Sequence, residues 1–180
     1  MWYRYRASTP TFFTVSASVD EIFFVISGSA TRTRIVRTIE VSTIQVVSAL
    51  GTTTVVARKF STAPTGGTAS DLTRTPLDSA YPAAATDGLV RVYSAAPTEG
   101  TLVGTIMSRK LLFKNFTVAD GAHLSEANFS FNFGSRRKRL NVAPPGIYLH
   151  DTAEAVGIGL GLQVAASSRY TISVEWLEGS

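Results

Sequence analysis

Residues 32–60, which read RTRIVRTIEVSTIQVVSALGTTTVVARKF, contain the pattern that decides the fold class. Ile35, Ile39 and Val41 lie on odd positions, whereas the polar residues Arg34, Thr38 and Glu40 lie on even positions. A two-residue period of this kind is typical of a β-strand with one buried face and one solvated face. After Val41 the aliphatic residues change to even positions, which predicts a β-bulge near Ser42 or Thr43.

Strand patterns continue on both sides of this stretch. Residues 53–60 are rich in β-branched side chains, and Ser48–Thr52 is short enough to join the two strands as a hairpin. The run Ile22–Ile26 is apolar throughout, which predicts a strand buried on both faces. Glycines alternate with larger aliphatic residues over 157–162, which predicts a strand whose glycine face admits a bulky ring or another backbone.

We count roughly eight to ten strand patterns separated by turns, with almost no helix. This predicts an all-β fold, a two-sheet antiparallel sandwich of the jelly-roll type, with an immunoglobulin-like sandwich as the structural alternative. Residues 61–88 show no sustained period of apolar side chains, which predicts a long loop. This loop either contacts another molecule or is a surface insertion that the fold tolerates. Residues 11–180 are predicted to form one domain, preceded by an arm or edge strand over residues 1–10.

Composition limits the classes of function. The chain has 180 residues, no cysteine, 44% hydrophobic residues and a net charge of +4 from 17 basic and 13 acidic residues. One core is expected, without disulfides or thiolate metal sites. So small a surplus of positive charge argues against a dedicated nucleic-acid binder. No signal peptide or membrane-length apolar run is evident, so we expect a soluble protein made in the cytoplasm.

Two segments are candidates for contacts with another protein. At the N-terminus aromatic and basic side chains alternate, as Trp2, Tyr3, Arg4, Tyr5 and Arg6. This segment is predicted either as an edge strand of the domain or as an arm on a neighbouring subunit, where such residues are effective anchors. The second candidate is the basic run of Arg136, Arg137, Lys138 and Arg139, with a solvated turn as the alternative.

No enzyme signature is found in the sequence. Asp120, His123 and Glu126 have a spacing that could bring metal ligands together on a helix, but the surrounding residues predict a loop. The Gly-x-Ser-x-Gly elbow of serine hydrolases is absent, and the glycines of residues 157–161 lack the dinucleotide-binding spacing. We therefore expect a protein that is not an enzyme and has no cofactor or metal.

Several segments resemble a group of tailed-phage virion proteins. These segments are Ile26–Thr31, Arg58–Ala63 with Thr65–Thr68, Val90–Tyr93 with the turn at Pro97, and Val174–Glu178. They are turns and strand ends, and the resemblance extends over about residues 25–178. The aromatic and basic N-terminus and the run 136–139 depart from the group.

The resemblance implies a β-sandwich subunit of a phage particle, and specifically a capsid decoration or cement protein. Such a protein would be located on the virion, where it would bind the major capsid protein and copies of itself and stabilise the shell. A tail, baseplate or fibre-attachment subunit is the first alternative. A carbohydrate-binding jelly-roll module is the second, with Tyr81 and Tyr148 as the candidate sugar-binding rings.

Overall fold

The computed structural model describes residues 1–11, 13–14, 22–45, 51–113, 126–134, 144–163 and 168–179. These residues contain β-strands and no helix. The strands are β1 (Trp2–Ser8), β2 (Phe13–Thr14), β3 (Ile22–Ser27), β4 (Thr33–Gln45), β5 (Gly51–Phe60), β6 (Thr68–Asp71), β7 (Thr75–Pro76), β8 (Val90–Ala95), β9 (Leu102–Phe113), β10 (Glu126–Asn132), β11 (Ile147–Leu149), β12 (Ala155–Gln163) and β13 (Ser168–Gly179).

The strands form two antiparallel sheets. The seven-stranded sheet has the order β10-β4-β13-β1-β7, with β11 also paired to β4 and β2 to β13. The six-stranded sheet has the order β6-β8-β3-β12-β5-β9. Their facing sides enclose the main core, which includes Phe24, Val41, Val55, Phe131 and Trp176. The predicted all-β antiparallel sandwich is therefore confirmed.

Eight of the strands pair in a nested order. The first of them, β1, pairs with the last, β13, and likewise β3 pairs with β12, β4 with β10, and β5 with β9. The pairs alternate between the two sheets. Eight antiparallel strands wound in this way form a jelly roll. Of the other five described strands, β8 extends the six-stranded sheet beside β3.

Two predictions about residues 32–60 are wrong. The strands β4 and β5 lie in different sheets and do not form a hairpin. The bulge lies at Arg37, because Val36 pairs with Trp176 and Thr38 with Glu175, whereas pairing continues without a shift past Ser42. The error arose because Thr43, a polar residue, is fully buried.

The strand predictions for residues 22–26 and 157–162 are confirmed. All six residues of β3 are buried. Gly157 lies against the ring of Phe60, where an added Cβ would come within 3.0 Å of it. Residues 2–8 form β1, which pairs with β13 along its whole length and with β7 over two residues. The predicted loop 61–88 contains the short strands β6 and β7.

Candidate interaction surface on the seven-stranded sheet

Strand β1 presents alternate side chains to the two faces of its sheet. Ala7 is buried, whereas Trp2, Arg4 and Arg6 are exposed. The indole of Trp2 is 38% exposed and lies over Gly179, where an added Cβ would come 2.6 Å from the ring. Leu77 is 46% exposed, and its amide donates to the Arg4 carbonyl at 3.0 Å. We call these four exposed residues, Trp2, Arg4, Arg6 and Leu77, the β1 surface.

The two arginines of the β1 surface are held by residues of the same sheet. Arg4 forms a bidentate ion pair with Glu175, in which Nε and Nη2 each donate to a carboxylate oxygen at 2.7 Å. Arg6 donates from Nη2 to Glu40 at 3.0 Å and from Nε to the Ser173 hydroxyl at 2.7 Å. Each arginine therefore has a carboxylate of the same sheet as its counter-ion. Trp2 and Leu77 are consequently the apolar part of this surface.

The neighbouring tyrosines have structural roles. Tyr5 is fully buried, its ring stacks on Trp176 at 5.9 Å, and its hydroxyl donates to the Pro82 carbonyl at 2.9 Å. Tyr3 is half-buried and meets Tyr81 edge to face at 5.2 Å. Tyr5 therefore does not belong to the predicted interface, because the jelly roll places its side chain in the core.

The candidate sugar-binding rings are also engaged within the chain. Tyr81 packs on Tyr3, as above. Tyr148 stacks on His150 at 5.9 Å, and its hydroxyl donates to the Pro144 carbonyl at 2.8 Å. Both rings are half-buried. Each ring is thus partly exposed and has one aromatic neighbour within the chain, and sugar binding by these rings stays a prediction.

Several predicted residues lie outside the described part of the chain. These are the basic run Arg136, Arg137, Lys138 and Arg139, and the metal candidates Asp120 and His123. The remaining member of that metal set, Glu126, begins β10. Among the described residues, no three histidines or acidic residues are grouped as metal ligands would be.

A buried charge cluster, which the sequence pattern did not reveal, lies at one end of the sandwich. Arg34 and Glu178 are both fully buried, and Nε of Arg34 donates to Oε1 of Glu178 at 2.9 Å. The Trp176 indole N–H donates to the same oxygen at 2.9 Å. The amide of Ala85 donates to Oε2 at 2.9 Å, and Arg32 contacts that oxygen at 3.3 Å. Each oxygen of the buried carboxylate therefore has two donors, as burial of a charge demands.

The same cluster holds the second half of the predicted long loop. Arg34 also donates to the carbonyls of Ser27 at 2.9 Å and of Ala85 at 2.6 Å. Arg74 donates to the carbonyls of Ala85 and Gly88. Hydrogen bonds to the backbone carbonyls of residues 82–89 thus hold this segment against the end of both sheets. We call this segment the anchored loop.

The arginines of the cluster are cations in a low-dielectric site. Burial lowers the pKa of Arg34, and the carboxylate of Glu178 acts in the opposite direction. Burial likewise lowers the pKa of Arg74. An arginine still remains protonated at neutral pH, so charge is retained inside the fold. The integrity of this end of the sandwich therefore depends on Glu178.

An open groove of about 400 Å³ borders the anchored loop. Its lining includes Asp71, Leu72, Arg74, Ala83, Ala84 and Thr86. Asp71 accepts from Arg91 at 2.9 Å, and Arg74 is bound to loop carbonyls. Asp71 and Arg74, the charged residues named in the lining, therefore already have hydrogen-bond partners within the chain.

Asp87 of the anchored loop gives a prediction about acid sensitivity. The hydroxyl of Ser29 and the amide of Ala30, at 2.7 Å, lower the pKa of Asp87 from its usual 3.8. Because the folded-state pKa is the lower one, this carboxylate stabilises the fold above pH 3.8 and loses that effect as the pH falls through the folded-state pKa. We expect Asp87→Asn to lower the urea midpoint at neutral pH but not in strong acid. An equal difference in both conditions would contradict this assignment.

No helix in the described ranges has the length and apolar character needed to cross a membrane. Comparisons of the chain with protein-family models, with curated proteins and with solved structures found no match.

Proposed function

We propose that this chain is a structural virion protein of a tailed phage, a capsid decoration or cement protein that binds the outer capsid surface and stabilises the shell. The observation that supports this role best is the β1 surface, an exposed indole and leucine beside two arginine–glutamate ion pairs on a strand of a jelly roll. Jelly rolls recur in viral capsid proteins. The resemblance of residues 25–178 to tailed-phage virion proteins points to the same role.

The β1 surface suits attachment to a preformed shell. Its backbone is held by β13 on one side and by β7 on the other, so little conformational entropy is lost when it binds. Exposed tryptophan is among the residues that contribute most to protein interfaces. A contact of about 800 Å² per partner, repeated over many sites of the major capsid protein, gives firm attachment.

The number of copies per particle tests this proposal. We expect quantitative proteomics of purified particles to find this chain at a constant ratio to the major capsid protein, on the order of hundreds of copies. A handful of copies would favour the tail, baseplate or fibre-attachment alternative. Absence from the particles would overturn the virion role altogether.

A substitution at Trp2 tests the surface itself. We expect Trp2→Ser to weaken binding to capsids stripped of this protein by at least about tenfold, because it removes the central aromatic contact. Trp2→Phe keeps an apolar ring and should retain most of the affinity. Co-sedimentation with the stripped capsids measures both variants, and equal binding by Trp2→Ser and the unaltered protein would remove the β1 surface from the interface.

The basic run is tested in the same assay. We expect reversal of charge at Arg136, Arg137, Lys138 and Arg139 to reduce capsid occupancy, because we propose that this run contacts an acidic surface. Unchanged occupancy would remove the run from the interface and leave the β1 surface as the attachment site.

A further inference from the structure

The indole of Trp2 lies flat on the backbone of Gly179, its partner in the neighbouring strand. Trp2 of β1 pairs directly with Gly179 of β13. A Cβ added to Gly179 would come within 2.6 Å of Cε3 of the indole and within 2.8 Å of both Cδ2 and Cζ3. These three atoms are consecutive in the six-membered ring. An approach in the plane of the ring toward Cε3 would leave its two neighbours clearly farther away, so the ring meets Gly179 with its face.

The glycine at position 179 is explained by this ring and not by the backbone. Gly179 lies inside the sheet, because it pairs with Thr33 of β4 as well as with Trp2. Its φ is not in the left-handed region, so other residues could adopt its backbone conformation. Glycine weakens a strand interior, and an aromatic side chain on the neighbouring strand compensates by covering it. The residue at position 179 is therefore matched to the ring at position 2.

The same contact decides how Trp2 is presented on the β1 surface. The Gly179 backbone covers one face of the ring, and Trp2 as a whole remains 38% exposed. Its neighbours on this surface have restraints of their own, since Arg4 is paired with Glu175 and the Leu77 amide donates to the Arg4 carbonyl. A side chain that is held in place before binding loses less conformational entropy at an interface. The packed indole is in this sense prepared for contact.

We propose that Gly179 is the positioning residue of the β1 surface, because its lack of a side chain holds the indole of Trp2 flat on β13 in the orientation that contacts the major capsid protein. A larger residue at position 179 would displace the ring and leave the strands paired. The obstacle is a side chain, which can turn about its own bonds as a backbone group cannot. This role rests on the proposed function for the contact itself, whereas the orientation of the ring can be tested without capsids.

Nuclear magnetic resonance tests the orientation of the ring directly. The α-proton of Gly179 that takes the direction of the missing Cβ points at the face of the indole. The ring current moves a proton in that position upfield. We expect an upfield α-proton signal of Gly179 in the unaltered protein and an ordinary strand value in Trp2→Ser. An ordinary value in the unaltered protein would overturn the inference.

Gly179→Ala tests whether the orientation matters for binding. The new methyl group occupies the place of the ring, so the indole must move although Trp2 is retained. Acrylamide quenching reports this movement, because Trp176 is fully buried and the quenched fluorescence comes from Trp2. We expect stronger quenching, and binding to stripped capsids about two- to tenfold weaker, the cost of immobilising one side chain again. Unchanged binding in a variant whose ring has moved would overturn the inference.

A double substitution shows whether Gly179 acts through Trp2. In a Trp2→Ser background the ring is gone, so Gly179→Ala should not weaken capsid binding further. It should also raise the urea midpoint there, because alanine is less flexible than glycine in the unfolded chain. A further loss of binding without Trp2 would overturn the inference. Gly161→Ala in the other sheet is the control, and it should change neither capsid binding nor the Gly179 signal.

The two assays separate this inference from the proposed function. An unaltered protein that fails to bind capsids, but shows the upfield Gly179 signal, would refute the proposed function and leave the positioning of Trp2 by Gly179 intact. Capsid binding that falls in Trp2→Ser but not in Gly179→Ala would refute the positioning role alone.

Discussion

Replacement of Glu178 with alanine is expected to lower the free energy of unfolding by about 3–5 kcal/mol, the cost of breaking a buried ion pair from one side. The change leaves Arg34 as a fully buried cation without its carboxylate. It also removes the acceptor of the Trp176 indole and of the Ala85 amide. Since a domain is typically stable by about 5–15 kcal/mol, a loss of this size leaves a marginal fold.

Glu175→Ala is the matched control, because Glu175 is also a β13 glutamate paired with an arginine. Its side chain is 22% exposed and that of Arg4 is 49% exposed, so this pair is partly solvated. Exposed pairs contribute about 0–1 kcal/mol. Urea unfolding followed by Trp176 fluorescence in a Trp2→Phe background measures both variants. Equal losses for Glu178→Ala and Glu175→Ala would mean that burial does not distinguish the two pairs.

The fold class could be predicted from the sequence because alternation reports directly which face of a strand is buried. For the same reason, burial was predicted correctly for the apolar run of β3, and close packing was predicted correctly for the glycine face of β12. Strand partners could not be predicted, because the jelly roll pairs β1 with β13 and β4 with β13 across the whole chain. A short link such as Ser48–Thr52 fits a hairpin and a crossing between sheets equally well.

The buried cluster could not be predicted, because the bulge at Arg37 reverses the side-chain direction of the residues before it. Simple alternation assigns Arg34 to the solvated face, yet Arg34 is fully buried. Its partner Glu178 is 144 residues away in sequence, so no local pattern connects them. The sequence did show that Arg34 and Glu178 belong to β4 and β13, two of the strands with the clearest alternation. Only their pairing across the sheet shows that they neutralise each other.

The cluster and the β1 surface are physically connected. The ring of Trp176 stacks on Tyr5 of β1, and the guanidinium of Arg34 lies over the same ring, 6.0 Å from its centre. The hydroxyl of Tyr5 donates to Pro82, at the start of the anchored loop. Loss of the anchored loop would therefore loosen the strand that presents Trp2. Stability at this end and binding through the β1 surface are expected to decline together.

Gly88→Ala tests the anchored loop by steric means, with no change of charge. A methyl group at Gly88 would overlap with the carbonyl oxygen of Gly28 and press on Nη1 of Arg34. Because the carbonyl is backbone, it cannot rotate away as a side chain could. We expect a loss of about 3 kcal/mol, the upper end of the usual cost of overpacking. The urea midpoint measures this loss.

Hydrogen exchange locates the damage, and a second glycine serves as the control. The amide of Leu89 donates to the Ser27 hydroxyl at 2.7 Å, and the amide of Ser27 donates to the Leu89 carbonyl at 2.9 Å. Both amides should exchange faster in Gly88→Ala, because the new methyl group separates these two segments. In Gly161→Ala the added Cβ finds ordinary contacts with Val56 at 3.5 Å, so stability should be unchanged or should rise by about 0.4–1 kcal/mol. Equal urea midpoints and equal exchange rates in Gly88→Ala and Gly161→Ala would contradict this prediction. They would mean that the anchored loop can move aside, and that the contacts from Arg34 and Arg74 do not hold it in place.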